Sequence, residues 1–113
     1  MHKKVILLMP LTYNDGQPVL QEVRDAFHAE LYEICGGLTL VGKVQGAFRM
    51  ADGTKQEGLL EQVWLAIEEA DLPALRELVS RIGRTLGQEK MYFEITDARV
   101  ELLPPLSEEG FPS

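Results

Sequence analysis

The centre of the chain decides the fold, and residues 38–67 read LTLVGKVQGAFRMADGTKQEGLLEQVWLAI. Apolar residues alternate with polar or small ones on both sides of Asp52-Gly53, a dipeptide typical of tight hairpin turns. Helical spacing of apolar residues flanks this hairpin, over residues 18–34 before it and residues 72–86 after it. The centre therefore predicts two antiparallel strands between two amphipathic helices.

A further strand is expected at each end of this pattern. Residues 5–11 are apolar at nearly every position, which suits a central strand, and residues 90–103 alternate. The order β-α-β-β-α-β is a split pair of βαβ units. The sequence therefore predicts an α+β, ferredoxin-like domain with a four-stranded antiparallel sheet and both helices on one face. We expect this single domain to span residues 1–103, followed by a flexible acidic tail over residues 104–113.

Single residues mark the expected boundaries of these elements. Pro18 suits the start of the first helix, and Gly36-Gly37 suits its end. Asp71 has the side chain expected of an N-cap for the second helix. Gly42 interrupts the alternation of the second strand, and a glycine inside a strand often marks a bulge.

Composition and charge exclude several classes of protein. The chain has 11 Lys and Arg residues against 18 Asp and Glu, a net charge of −7, whereas nucleic-acid binding relies on clustered basic residues. No apolar stretch approaches the ~20 residues that cross a bilayer. One cysteine cannot form an internal disulfide, so nothing in the sequence requires an oxidising compartment. We therefore expect a cytoplasmic protein that binds neither nucleic acid nor membrane.

The sheet face that the helices leave uncovered, which we call the open face, is the main candidate site. Its expected side chains are Lys43, Gln45, Arg49, Gln62, Trp64, Tyr92, Glu94 and Thr96. Trp and Tyr among polar groups are typical of interfaces. We take five of these as candidate ligand or interface residues, and a homodimer as the expected assembly. The five are Arg49, Gln62, Trp64, Tyr92 and Glu94.

The turns at one end of the sheet form a second candidate. Residues 12–17, 50–55 and 86–90 should converge there. Their polar side chains are those of Tyr13, Asn14, Asp15, Asp52, Gln88 and Glu89. Such acids can ligate a hard cation, but turns require Asn, Asp and Gly in any protein, and the spacing lacks the alternating ligands of a calcium loop. We predict no metal and no cofactor.

Two other residues with reactive side chains are interpreted as ordinary structure. His28 follows Phe27 and lies off the apolar stripe of the first helix, so we expect it in solvent. Cys35 lies at the carboxyl end of that helix, where the dipole disfavours a thiolate. We therefore expect Cys35 to fill space as a small apolar group.

The turn motifs of the chain, taken in order, resemble those of an uncharacterised family of small bacterial proteins. They are Met9-Pro10-Leu11, Asn14-Asp15-Gly16, Gly36-Gly37-Leu38-Thr39, Gly46-Ala47-Phe48, Asp52-Gly53 with Glu57, and Gln88-Glu89. The resemblance spans residues 5–103. Phe48 stands where the relatives usually carry Trp, and Cys35 where they usually carry Phe. The family has no activity to transfer, so the resemblance supports the fold and supplies no catalytic residue.

Three functions remain open on these grounds. The first is a non-catalytic domain that self-associates, or binds a ligand or another protein, through the open face. The alternative is an enzyme of the dimeric α+β barrel type that acts on a small organic molecule, with Glu94 as a candidate general base. The third is a regulatory module that holds an effector between subunits. The lack of a catalytic motif favours the first.

Overall fold

The computed structural model describes residues 2–106, so most of the expected acidic tail lies outside the described residues. The elements follow the predicted order. They are β1 (His2–Pro10), α1 (Gln21–Cys35), β2 (Thr39–Arg49), β3 (Lys55–Glu68), α2 (Leu72–Thr85) and β4 (Tyr92–Asp97), with a 3-10 turn at Glu69–Asp71 before α2.

The strands form one antiparallel sheet in the order β2-β3-β1-β4. Strand β1 is central, since Val5 lies opposite Leu65 of β3 on one side and Ile95 of β4 on the other. This is the split βαβ arrangement, and the predicted α+β, ferredoxin-like fold is confirmed.

The hydrophobic core lies between the sheet and the two helices. The buried residues of the two central strands share one parity, and they are Val5, Leu7, Met9, Val63, Leu65 and Ile67. The helices face them with Phe27, Leu31, Leu75, Leu78, Val79 and Ile82. Burial of one such side chain stabilises the fold by about 1.5–3 kcal/mol. The helical spacing predicted over residues 18–34 and 72–86 is therefore confirmed for the core-facing residues of both helices, but Leu20 precedes α1 and is 61% exposed.

The helix boundaries differ from the prediction at both amino ends. Helix α1 begins at Gln21 and not at Pro18, because residues before it stay extended: the Val19 N–H donates to the Leu11 carbonyl, and Pro18 bridges Thr12. Asp71 makes no side-chain capping bond to α2, since the 3-10 turn already leads into that helix. At the other end of α1 the prediction is confirmed, because Gly36 ends it at a φ of 74°. Neither helix of the described chain is long and apolar enough to cross a membrane.

Strand β4 is shorter than the predicted strand over residues 90–103. It ends at Asp97, which lies opposite Lys3, and the Ala98 N–H donates to the His2 carbonyl. Residues 99–103, which alternate in sequence, form no strand in the described part of the chain.

The β2–β3 hairpin carries a bulge. Strand β3 starts at Lys55, and the turn at Gly53 has the positive φ of 86° that glycine tolerates. In β2 the register shifts between Leu40 and Gly42, where Gly42 adopts a φ of 144°. This bulge moves every later residue of β2 to the opposite face.

The bulge corrects three predicted positions. Lys43 lies opposite Glu61, and Arg49 lies opposite Lys55, which are the β3 positions on the helix side of the sheet. Gln45 follows the same parity, opposite Leu59. The prediction that Lys43, Gln45 and Arg49 share the open face with Trp64 was wrong, because it assumed an unbroken alternation through Gly42.

Candidate functional site

The open face gathers four of the five predicted residues around the centre of β1. Ile6 lies opposite both Trp64 and Glu94, and Leu8 lies opposite both Gln62 and Tyr92. The Trp64 and Tyr92 side chains are 38% and 42% exposed. Ile6 and Leu8 are half-buried between them. Arg49, the fifth residue, belongs to the other face by its register.

Local interactions hold the two aromatic side chains of this face in place. The Lys4 ammonium lies 3.9 Å from the centre of the Trp64 ring, a cation–π contact. The Tyr92 hydroxyl donates to Glu94 Oε1 at 2.6 Å. This hydrogen bond to a carboxylate raises the pKa of Tyr92. Glu94 thus holds the Tyr92 hydroxyl from two residues further along the same strand.

A cavity of about 320 Å³ opens at the hairpin end of the open face. Its apolar lining comes from Leu8, Pro10, Phe48, Leu60, Met91 and Tyr92. Gly46 and Gly58 lie opposite each other in the hairpin and also line it. A methyl group on Gly46 would come 2.7 Å from Leu60 Cδ1, whereas one on Gly58 would meet only the Thr12 hydroxyl at 4.0 Å. Gly58 therefore leaves open space in the cavity, whereas Gly46 allows Leu60 and Phe48 to pack closely over the backbone.

The turns at this end of the sheet converge as predicted, and Asn14 joins them. Its amide nitrogen donates to the Gly87 carbonyl, while its amide oxygen accepts from Gln56 and Gln88. Glu89 accepts from the Ala51 N–H, which joins the segment 86–90 to the segment 50–55. These side chains therefore link neighbouring turns by hydrogen bonds. Within residues 2–106 no three His, Cys, Asp or Glu side chains form a group that could hold a metal ion.

The acids of the turns serve their own backbone. Asp15 accepts from the Gln17 N–H, and Asp52 accepts from both the N–H and the hydroxyl of Thr54. The Thr54 hydroxyl, followed by its N–H, lowers the pKa of Asp52 because both bonds favour the carboxylate. The arrangement is that of two Asx turns.

A charged cluster under α1 was missed by the sequence analysis. Glu61 is 7% exposed on the helix side of β3, where its two carboxylate oxygens contact His28 Nε2 at 2.5 Å and an Arg24 guanidinium nitrogen at 3.0 Å. The prediction that His28 is solvated was wrong, because its side chain is only 13% exposed. The signal was present: Glu61 occupies the apolar parity of β3, and Arg24 and His28 lie one helical turn apart.

Cys35 packs against the core at the end of α1, as predicted. Burial raises the pKa of its thiol to about 11, and the nearby Asp71 carboxylate adds to the shift. A thiol with this pKa is almost wholly protonated at neutral pH and is a poor nucleophile.

Comparison with solved structures supports the fold alone. The chain is similar to the divalent cation tolerance protein Cut A1 of Thermus thermophilus at 13% identity and a TM-score of 0.63, covering 90% of this chain and 88% of that one. It is similar to the periplasmic divalent cation tolerance protein CutA of Archaeoglobus fulgidus at 10% identity and a TM-score of 0.65, over 90% and 88%.

A third similar structure comes from a phage. It is a SAM lyase in complex with S-methyl-5'-thioadenosine, at 13% identity and a TM-score of 0.64, covering 85% of this chain and 81% of that one. No protein-family model and no curated protein sequence matches the chain. The comparisons therefore place the chain in an α+β fold class that includes both CutA proteins and a lyase.

Proposed function

We propose that the protein is a non-catalytic domain that self-associates through its open face, with a homodimer as the simplest assembly. One observation carries the proposal: Trp64 and Tyr92 stand partly exposed on either side of Ile6 and Leu8 at the centre of the sheet. A contiguous apolar patch with aromatic residues and a polar surround is typical of a protein interface.

The hairpin supports the same proposal. Residues 55–58 of β3 pair only with β2 among the described strands, beyond the point where β1 ends opposite Leu60. Phe48, which lies opposite Gln56 on the open face of this part, is 39% exposed. A two-stranded ribbon is marginally stable in water by itself. Contact with a second copy would cover the Phe48 ring.

The test is the molar mass of the chain in solution, measured by size exclusion with light scattering. We expect a mass above that of one chain, and we expect Trp64→Ala and Tyr92→Ala to lower it toward the monomer. Tyr32→Ala is the matched control, since it removes an equally large ring that is 55% exposed on α1. A monomeric natural chain, or two open-face variants that keep the natural mass, would contradict the proposal.

A second candidate function is an enzyme that acts on a small organic molecule held against the open face. The observation that favours it is the cavity of about 320 Å³, which lies within the range of small-molecule sites and is bordered by Tyr92. A similar fold with a bound nucleoside occurs in the phage lyase. Retained extra mass on the freshly purified protein, measured by native mass spectrometry, would support this candidate. A Glu94→Gln variant that keeps full turnover of the released molecule would exclude Glu94 as its base.

We further propose a cytoplasmic location. Its support is one half-buried thiol and no sequence feature that requires an oxidising compartment. Cell fractionation of the tagged full chain tests it, and recovery with periplasmic markers would contradict it.

A further inference from the structure

The cavity at the hairpin end of the open face has the shape and lining of a site for a flat apolar body. Phe48 and Tyr92 border it as aromatic walls, and Leu60 is the buried apolar side chain at its base. Gly58 leaves open space beside these walls, whereas Leu60 and the Phe48 ring fill the space over its partner Gly46. Aromatic side chains stack on planar ligands with offset or edge-to-face geometry.

Two cations border this cavity. Arg49 and Lys90 both line it, and within residues 2–106 neither forms an ion pair. The two acids of the lining are already engaged, because Glu57 pairs with Lys55 and Glu89 accepts from the Ala51 N–H. Because Lys55 neutralises Glu57, the two cations of the lining outnumber its one remaining carboxylate, Glu89, and create a local preference for an anion in a chain with a net charge of −7.

We propose that this cavity binds a small aromatic anion, a planar ring system that carries a carboxylate or sulfonate. The ring lies between Phe48 and Tyr92 over Gly58, and the anionic group meets Arg49 and Lys90. The apolar contact supplies most of the affinity, and the cations select the charged molecule over its neutral analogue. The inference rests on the cavity of a single chain. Because a second copy on the open face would cover Phe48 and Tyr92, self-association and ligand binding would compete for these side chains.

The test uses two dyes with the same aromatic body. Anilinonaphthalene sulfonate is an aromatic anion whose fluorescence rises in an apolar site, and N-phenylnaphthylamine is its uncharged counterpart. We expect saturable binding of the sulfonate at one dye per chain, about tenfold tighter than that of the neutral dye. Equal affinity for the two dyes, or no saturable binding, would overturn the proposal.

Two variants locate the binding. The Arg49→Gln/Lys90→Gln pair should weaken the sulfonate about tenfold and leave the neutral dye unchanged, whereas the control pair Arg81→Gln/Arg84→Gln on α2 removes the same charge elsewhere. Gly58→Ile should abolish binding of both dyes, because its side chain would fill the cavity. The proposed site would be overturned if the control pair weakened sulfonate binding as much as the Arg49/Lys90 pair did. It would also be overturned if a folded Gly58→Ile variant still bound the sulfonate. Light scattering on the same samples reports the assembly state separately.

Discussion

At the residue scale, Glu61 ties α1 to the sheet through charge rather than through apolar contact. Its carboxylate is buried between Arg24 and His28, both of which lie on the helix. A buried carboxylate is tolerated when it is paired and hydrogen-bonded, and removing one partner leaves the others uncompensated. The cluster therefore fixes where α1 sits over β3.

We predict that Glu61→Gln lowers the free energy of unfolding by about 2–4 kcal/mol. The amide keeps the volume of Glu61 but removes the charge that faces Arg24 and His28. Urea denaturation measures the loss, and the transition midpoint should fall with little change in slope. Glu57→Gln is the control on the same strand and parity: its pair with Lys55 is exposed, so we expect a change within about 0.5 kcal/mol. Equal effects of the two variants would contradict the role of Glu61.

The raised pKa of Cys35 predicts slow reaction with a disulfide reagent. With a pKa of about 11, its thiolate fraction at pH 8 is about 100-fold below that of an ordinary thiol. A more basic thiolate is about tenfold more reactive, so the net rate should be about tenfold lower. Ellman's reagent, applied to the folded chain and to the chain in urea, measures this ratio. The folded rate should keep rising with pH up to about 11, and a plateau near pH 9 would contradict the shift.

His28 and Glu61 show what single-residue patterns do not predict. The apolar stripe of a helix predicts which of its residues face the core. His28 lies off that stripe, so the pattern predicted that it faces solvent. Its partner is 33 residues away on a strand. The contact depends on the register of β3 under α1, which the helix pattern does not contain. The apolar roles of Cys35 and Leu31 were predictable, since burial follows local spacing.

At the element scale, the order of strands and helices was predictable because each period is local. The face of β2 was not, since one extra residue at the Leu40–Gly42 bulge reverses it. Gly42 marked the place of the bulge but not how many residues it inserts. The end of β4 was not predictable for a similar reason, since alternation within a strand does not show where its pairing ends. The alternating sequence continues to residue 103, but the strand ends at Asp97.

The facing glycines of the hairpin give a matched pair of substitutions. We expect Gly46→Ala to be about 1 kcal/mol less stable than Gly58→Ala. The added methyl group at Gly46 would press on Leu60 and the Phe48 ring at 2.7 and 2.8 Å, whereas at Gly58 it has open space. Both substitutions remove the backbone freedom by which glycine destabilises a strand. The difference between their free energies of unfolding therefore reports the difference in packing. Urea denaturation of the two variants measures it, and equal stabilities would contradict the close approach.

At the scale of the whole molecule, the chain is more extended than its length requires. Its radius of gyration is 16.8 Å, and its longest dimension is 61 Å. A compact domain of 100 residues has a radius of about 13 Å. Residues 55–58 pair with no other described strand than β2, so the outer part of the β2–β3 hairpin is two-stranded. Such a shape exposes apolar side chains that a second copy can cover.

Self-association predicts that thermal stability depends on protein concentration. A folded chain that binds a second folded chain gains stability by mass action, so dilution should lower the melting temperature. Over a hundredfold range of concentration we expect a rise of roughly 5 °C, since each chain of a dimer gains about 1.4 kcal/mol. Differential scanning calorimetry measures it. Trp64→Ala should remove the dependence, because it removes the exposed ring at the centre of the open face, while Tyr32→Ala should keep it. If the melting temperature of the natural chain did not depend on concentration, self-association would be contradicted. The hairpin would then be stabilised by contacts within one chain.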